Sequence, residues 1–384
     1  MKQSIRDKRF RPVRLTTVTA RERLVLSLIR REGTLTRSDL IRMTELPGAA
    51  IFRVTEDLVR RGLLELGESV AQGPGKPSHA VRLRADALAT VGLSVMTDFA
   101  EAVLLDFNGT VRAVRELSVE GMGLDAVFDK LHLFIEEEVS AAGLAAEALC
   151  GLGVGLAGYF ADGGSRMNPA APLEDWALKD LRAIATDKTG LDVEIENIAN
   201  ASAVGEQLLG VGRWANSFAY INVSHGLGSG LILNGELYRG RHGNAGEVAS
   251  LLDQLGHLPV PNLETLRAAL TREGVQTTGI SDLVTQYRDD WPGIASWVEW
   301  AAPSFSVLAS VFRQTLDCDA VVFGGRLPRQ LAERIVASVR WPDETTSPRR
   351  NIRLQLPKLV AAEVTARAAA VGAATIPLRR GYFQ

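Results

Sequence analysis

The residues Ile221–Ser250, INVSHGLGSGLILNGELYRGRHGNAGEVAS, constrain the chain more than any other stretch. Phe218 to Val223 reads as a strand, which then breaks into a loop carrying Gly226, Gly228 and Gly230. Glycine lets the backbone take positive φ or approach another group closely, so a glycine loop after a strand has the shape of a phosphate loop. Asn234-Gly235, between Leu231-Ile232-Leu233 and Glu236-Leu237-Tyr238, predicts a two-residue hairpin. A second cluster, Gly240, Gly243 and Gly246, ends at Glu247. A glycine-rich meander packed in a core is the plainer alternative, and the order of the parts argues against it.

With 384 residues the chain is too long for one ordinary core and suits two or three domains. Hydrophobic content of 46% with 23% charged residues is that of a soluble globular protein. Two cysteines, Cys150 and Cys318, cannot make a four-thiolate metal site and fit a reducing compartment. Met1–Arg14 is basic, and no apolar run of about 18 residues occurs. These features predict a cytoplasmic protein with no membrane partner. The net charge of −2 hides an asymmetry: Met1–Ala85 holds 18 Lys and Arg against 9 Asp and Glu, leaving 25 against 36 in the remainder. A basic head on an acidic body is what a phosphate-binding module looks like, a solubilising basic face being the alternative.

The head has a readable pattern. Leu24, Val25, Leu28 and Ile29 share one face of a predicted helix over Arg21–Arg31, ended by Gly33. Thr36 and Asp39 form a capping-box start for a second helix, Arg37–Met43. Pro47, a candidate first helical position, opens a third, in which Ile51, Val54 and Leu58 recur at helical spacing. Leu63–Leu66 and Ala80–Leu83 are strand-like and joined by a loop with Gly75-Lys76-Pro77. Three helices and a two-stranded wing predict a winged helix-turn-helix, whose third helix enters the major groove of double-stranded DNA. Arg53 is the candidate for base contact, with Ala49 and Phe52 against thymine methyls. Lys76, Arg60, Arg61 and the tail residues Lys8, Arg9, Arg11 and Arg14 are placed on phosphates, which position without specifying. A winged helix used only for protein contact is the competing reading.

After Arg84 the chain turns to strand–helix alternation, the mark of an α/β body. Strands are expected over Val91–Leu105, Cys150–Leu156 and Val193–Glu196, with a hairpin turn at Asn108-Gly109. Helices are expected over Leu124–Ala141 and Ala199–Leu209. Trp291, Trp297 and Trp300, in a helical stretch 291–316, serve either an oligomer interface or, as is commoner, the core.

The glycine stretch and five further segments in order resemble the ROK family of repressors and sugar kinases. Gly226–Val248 is similar to its glycine signature, Gly151–Gly158 to its Pro-Gly strand end, Asn168–Trp176 to its asparagine loop, and Glu196–Glu206 to its Glu-Asn-Asp helix start. Ala320–Leu327 is similar to the Gly-Gly loop of its second lobe, and Glu363–Ile376 to its closing helix. The resemblance implies an actin-like, ribonuclease H-like body of two lobes behind a winged helix-turn-helix. It places the head over 1–85, the first lobe over 86–198 with the closing helix 360–376 returning to it, and the second lobe over 199–359.

Departures from the family pattern bear on chemistry. Ile198 stands where a ROK kinase has its aspartate base, and an isoleucine accepts no proton. Ser94–Phe99 replaces the first phosphate loop, and Asp98 adds a charge that repels phosphate. Ser250 replaces the zinc histidine and Asp253–Asn262 contains no cysteine, so His257 alone is no ligand set and no cofactor is expected. Pro172 stands where a sugar-facing asparagine is usual. Gly158, Asn197, Glu247 and Glu264 remain of the sugar pocket, and a buried Glu247 would want a partner such as His225, His242 or Arg241. The expectation is a non-enzymatic transcriptional regulator, a repressor, acting as a homodimer or homotetramer. Its effector is a less hydroxylated molecule, a sugar derivative held by new contacts, or absent. A sugar kinase with an unusual site is the alternative.

Overall fold

The computed structural model describes residues 10, 17–70, 78–341, 355–364 and 367–384. Lys76 and the tail residues Lys8, Arg9, Arg11 and Arg14 fall outside them.

The head begins with α1 (Ala20–Glu32), β1 (Thr34–Thr36), α2 (Arg37–Thr44), α3 (Gly48–Arg60), β2 (Leu64–Val70) and β3 (Ser78–Leu83). Thr19 and Thr36 each close a capping box, with Glu22 and Asp39, which fixes where α1 and α2 start. Gly33 ends α1 at a φ of 81°, a conformation its missing Cβ makes cheap. Pro47 is the residue before α3 rather than its first helical one. The strands pair in the order β1-β3-β2, and the apolar faces of the helices close over them. This is a winged helix-turn-helix.

The body holds two sheets of one design. The first contains β4 (Ala89–Val95), β5 (Ala100–Asp106), β6 (Val111–Glu116), β7 (Leu149–Leu156) and β10 (Val193–Asn197), in the order β10-β7-β4-β5-β6. A short pair, β8 (Gly158–Phe160) and β9 (Met167–Pro169), follows β7. Helices α4 (Leu124–Ala141) and α5 (Leu181–Thr189) flank this sheet, and α6 (Ile198–Leu209) leaves it. The second contains β11 (Phe218–Val223), β12 (Leu227–Leu233), β13 (Glu236–Leu237), β14 (Ala320–Gly325) and β15 (Lys358–Ala361), in the order β13-β12-β11-β14-β15. Both run as an antiparallel meander whose first strand pairs in parallel with a later one. Between β13 and β14 lie α7 (Val248–Leu255), α8 (Leu263–Arg272), α9 (Ile280–Gln286) and α10 (Ile294–Leu316), and α11 (Arg329–Ser338) follows β14. The chain ends in α12 (Ala368–Tyr382), which packs on β4 and β7 and lies against α6.

Several expectations shift. The loop after β11 is only Ser224–Gly226, and Gly228 and Gly230 lie within β12. Neither takes positive φ; a Cβ on Gly230 would sit 2.6 Å from the Ala199 carbonyl, so its task is close approach to α6. The Asn234-Gly235 turn forms as expected, with φ of 53° and 76°. The closing helix starts eight and ends six residues later than the 360–376 expected, over Ala368–Tyr382, and contains Pro377.

The head is not a tethered module. Leu28, Leu64 and Leu83 share a core with Phe107, Leu378, Tyr382 and Phe383 of the body. Arg23 donates to the carbonyls of Arg379 and Phe383, and Arg30 donates at 2.8 Å to that of Leu208, in the last turn of α6. Burial, followed by Arg379 and Arg31, lowers the Arg30 pKa to about 10.

Candidate functional site

The outward face of α3 is built from residues its own periodicity cannot bury. Ile51, Thr55 and Leu58 point into the head, which leaves Ala49, Phe52, Arg53 and Arg60 exposed. Phe52 is 54% exposed, and the Arg37 guanidinium covers its ring at 4.5 Å. Arg37 is held there by Thr55 Oγ1 at 2.9 Å and by Glu56. Arg53 has no hydrogen-bond or ion-pair partner among the described residues. Arg60 pairs with Asp57 yet stays exposed. Arg61 corrects an expectation: it bridges Asp57 to Glu22 at 2.8 Å, so it ties α3 to α1 instead of facing outward. The Arg61 and Arg60 guanidiniums in turn hold the Asp57 carboxyl below the usual carboxylate range.

The body cleft is organised by the junction of β10 and α6. Asn197 caps α6, accepting from Ala199 N at 2.7 Å and Asn200 N at 3.2 Å, and donates Nδ2 to Gly158 O at 2.6 Å. Gly158 and Asn197 are thus brought together, but the Asn197 amide is largely spent on the protein. Its neighbour Glu196 is fully buried and accepts from Asn197 N, Asn200 Nδ2 and, at 2.6 Å, Arg239 Nε. Ile198 is buried against Met96 and Ala369. Glu264 pairs with Arg267 at 2.8 Å and faces His225 at 3.6 Å. The expectation that Glu247 is buried is corrected: the residue is exposed at the start of α7 and has no partner among the described residues. Neighbouring protein still desolvates its carboxyl and raises the pKa.

Beside the β4–β5 turn, the protein fills its own cleft. Asp98, on the β4–β5 turn, pairs with Arg326 at 2.8 Å, and Arg326 reaches Ser281 Oγ at 2.7 Å and lies over Phe99. Ser281 donates its N–H and hydroxyl back to Asp98. Ser224 Oγ sits 3.6 Å from Met96 Sδ. The space left beside Ser94, Ile198, Ser224 and Gly325 is about 20 Å³, room for about one water. Reading the residues one segment at a time marked Asp98 and the Gly324-Gly325 loop separately; the adjacent Arg326 and the distant Ser281 carried no local signal.

The zinc donors do not fit. Ser250 lies in α7, His257 is exposed with Nδ1 at 2.7 Å from Leu255 O, and the segment is instead held by the Asn262–Thr265 capping box and by Leu263 N on Ser224 O. Among the described residues no group of three His, Cys, Asp or Glu side chains could hold a metal ion. No helix of the described residues is long and apolar enough to cross a membrane. Trp297 is a core residue donating to Thr265 Oγ1, whereas Trp300 is exposed beside it.

Glu206, deeper in α6, accepts from Val211 N at 3.1 Å and Val364 N at 2.5 Å. Burial outweighs those bonds and pushes its pKa up to about 7 from the usual 4.5. Through that window the folded chain keeps a proton that the unfolded chain has released, so stability falls as pH rises. We expect urea unfolding to show a loss of about 2 kcal/mol between pH 5 and pH 8, saturating above the folded pKa. The carboxyls of Asp57, Asp86 and Asp175 are held below the usual range and titrate under this window.

The fold and site together define a winged-helix head on a two-lobed, ribonuclease H-like body of the sugar-kinase type. The ROK family model matches residues 90–268, so this part of the chain is a ROK family domain. It is 25% identical over 376 residues to an uncharacterised protein, y4fQ, of Sinorhizobium fredii, covering 96% of this chain and 93% of that one. It is 28% identical over 236 residues to the xylose repressor of Bacillus subtilis, 60% of this chain and 59% of the repressor, so it spans well under two thirds of that relative. Among solved structures, a ROK family transcriptional regulator, homologue of the E. coli MLC protein, superposes with a TM-score of 0.67 at 20% identity over 94% of this chain and 95% of the other. ROK sugar kinases share the body's fold as well.

Proposed function

We propose that this protein is a DNA-binding transcriptional regulator that acts as a repressor, with a small-molecule effector in a body that does not transfer phosphate. The observation that carries the reading is the uncommitted outer face of α3, with Arg53 free and Phe52 propped by Arg37. The xylose repressors among its relatives support a sugar or sugar derivative as effector. The head is taken as 1–85, the lobes as 86–198 and 199–359, and the site of action as the cytoplasm. A homodimer or homotetramer reads paired half-sites.

Ala49 and Phe52 meet thymine methyls, Arg53 reads a base edge, and Arg60 and Lys76 meet phosphates. Gly158, Asn197, Glu247 and Glu264 line the effector cleft. Helix α6 offers the coupling: its N-terminus is the Asn197 cap at the cleft, and its last turn holds Arg30 of α1. An effector that prefers one placement of α6 shifts the head with it.

The test is recovery of genomic fragments at moderate salt, repeated with added sugars and sugar phosphates. One or a few enriched upstream regions, with affinity that drops steeply as salt rises, support the reading; no enrichment sinks it. On the recovered operator, Arg53→Ala is expected to weaken binding by about 2 kcal/mol, roughly thirtyfold, and to relax preference at one base position. Fluorescence anisotropy against single-base operator variants measures both. An ATP-coupled assay with hexoses tests the enzyme alternative and is expected to show no turnover.

A further inference from the structure

We propose that a second cavity, walled by α1, α5, β10, the chain after β13 and the end of α12, binds a small organic dianion. It measures about 620 Å³, within the range of small-molecule sites. None of Gly158, Asn197, Glu247 and Glu264 lines it, so it is separate from the effector cleft.

Five guanidiniums face this space, those of Arg23, Arg182, Arg239, Arg379 and Arg380, against the two carboxylates Glu194 and Glu236. Glu196 stands behind Arg239 and Asp192 behind Arg380, which trims the charge surplus but not the supply of donors. Each guanidinium carries five N–H groups in a planar fork. Arg23 uses Nη1 alone, on two carbonyls at 3.4 Å; Arg239 uses Nε, on Glu196; Arg182 uses Nη2, on Glu194 at 3.1 Å. Arg379 uses Nη2, on the Gly235 carbonyl and Glu236, and Arg380 uses Nη1, on Glu194 and Asp192. The remaining donors have no partner among the described residues. Convergent, half-used arginine forks match phosphate and carboxylate oxygens. Phe160, Ile195, Val204, Leu237, Ile376 and Phe383 supply apolar wall between them, which fits a carbon skeleton beneath the charges. A sugar phosphate and a polycarboxylate share this chemistry.

The walls come from both lobes, from the closing helix and, through Arg23, from α1 of the head. Occupancy therefore bears on how the head is held, a consequence that rests on the DNA-binding reading. Full-length protein is titrated by calorimetry with glucose 6-phosphate, citrate, inorganic phosphate and glucose. Saturable binding of glucose 6-phosphate or of citrate, with glucose silent there, is expected, and which of the two binds identifies the source of the charge. Arg182→Gln and Arg380→Gln, on different elements and checked for wild-type melting, are each expected to weaken that binding tenfold or more. Operator affinity is expected to change at least fivefold at saturation. Absence of saturable anion binding, retention of it in both variants, or response to inorganic phosphate alone as an adventitious ion only, overturns the proposal. If anions bind as described but no operator is found, the DNA-binding reading fails and the site stands; if an operator is found but no anion binds, the reverse holds.

Discussion

Replacing Gly372 with alanine is expected to cost more than about 4 kcal/mol, enough to deplete folded protein. Its backbone φ does not require glycine; its neighbours do. A Cβ there would lie 1.8 Å from the Ala201 carbonyl oxygen, and 3.2 Å from Gly205 N, where α12 crosses α6. The same helix presses on the first sheet, where a Cβ on Gly153 would sit 1.9 Å from Ala373 O and one on Gly92 2.0 Å from Ala370 O. These are backbone atoms of packed elements, so relief means moving a helix rather than a side chain. Gly226→Ala is the control, since nothing lies within 4 Å of its Cβ position and its φ is not positive. Soluble yield and urea midpoints measure both. A Gly372→Ala protein as stable as Gly226→Ala would refute this account of the α6–α12 junction.

Asp98→Ala is the second large effect. Arg326 is 9% exposed, and burial lowers its pKa while Asp98 holds it up. Deleting the carboxylate leaves a buried guanidinium with Ser281 Oγ and the Phe99 ring. Breaking one side of such a pair costs about 3 kcal/mol, mostly as uncompensated desolvation. The pair joins the β4–β5 turn to the chain after β14, so the loss falls on the contact between the lobes. Chemical denaturation should show the drop, and small-angle scattering a wider body. Asp98→Ala,Arg326→Met should recover part of the stability, because both charges are gone. If the double variant is as weak as the single one, the cost lies elsewhere in the loop.

The sequence was sufficient wherever the deciding physics acts within a few residues. Thr36 and Asp39 close their capping box because both partners lie in one turn of chain. Asn234-Gly235 turns because its own φ values allow it. The α3 face follows from helical period alone, so Ala49, Phe52 and Arg53 could be placed outside before any contact was known. The departures at Ile198 and Ser250 were also legible, since a residue either carries the needed group or does not.

Tertiary structure decided what depends on distant segments meeting. Asp98 reads in the sequence as a charge hostile to phosphate; that Arg326 neutralises it, with Ser281 donating to it, and that together they close the cleft follows only from both sheets being in place. Asn197 reads as a ligand donor, yet the α6 N–H groups and Gly158 O take most of its amide. Arg61 reads as exposed basic charge until α1 brings Glu22 beside it. The arginines around the second cavity come from four separate segments and have no common motif. In each case the energy lies in burial and pairing across long loops, and those terms are set by which surfaces come together, not by any residue's neighbours in the chain.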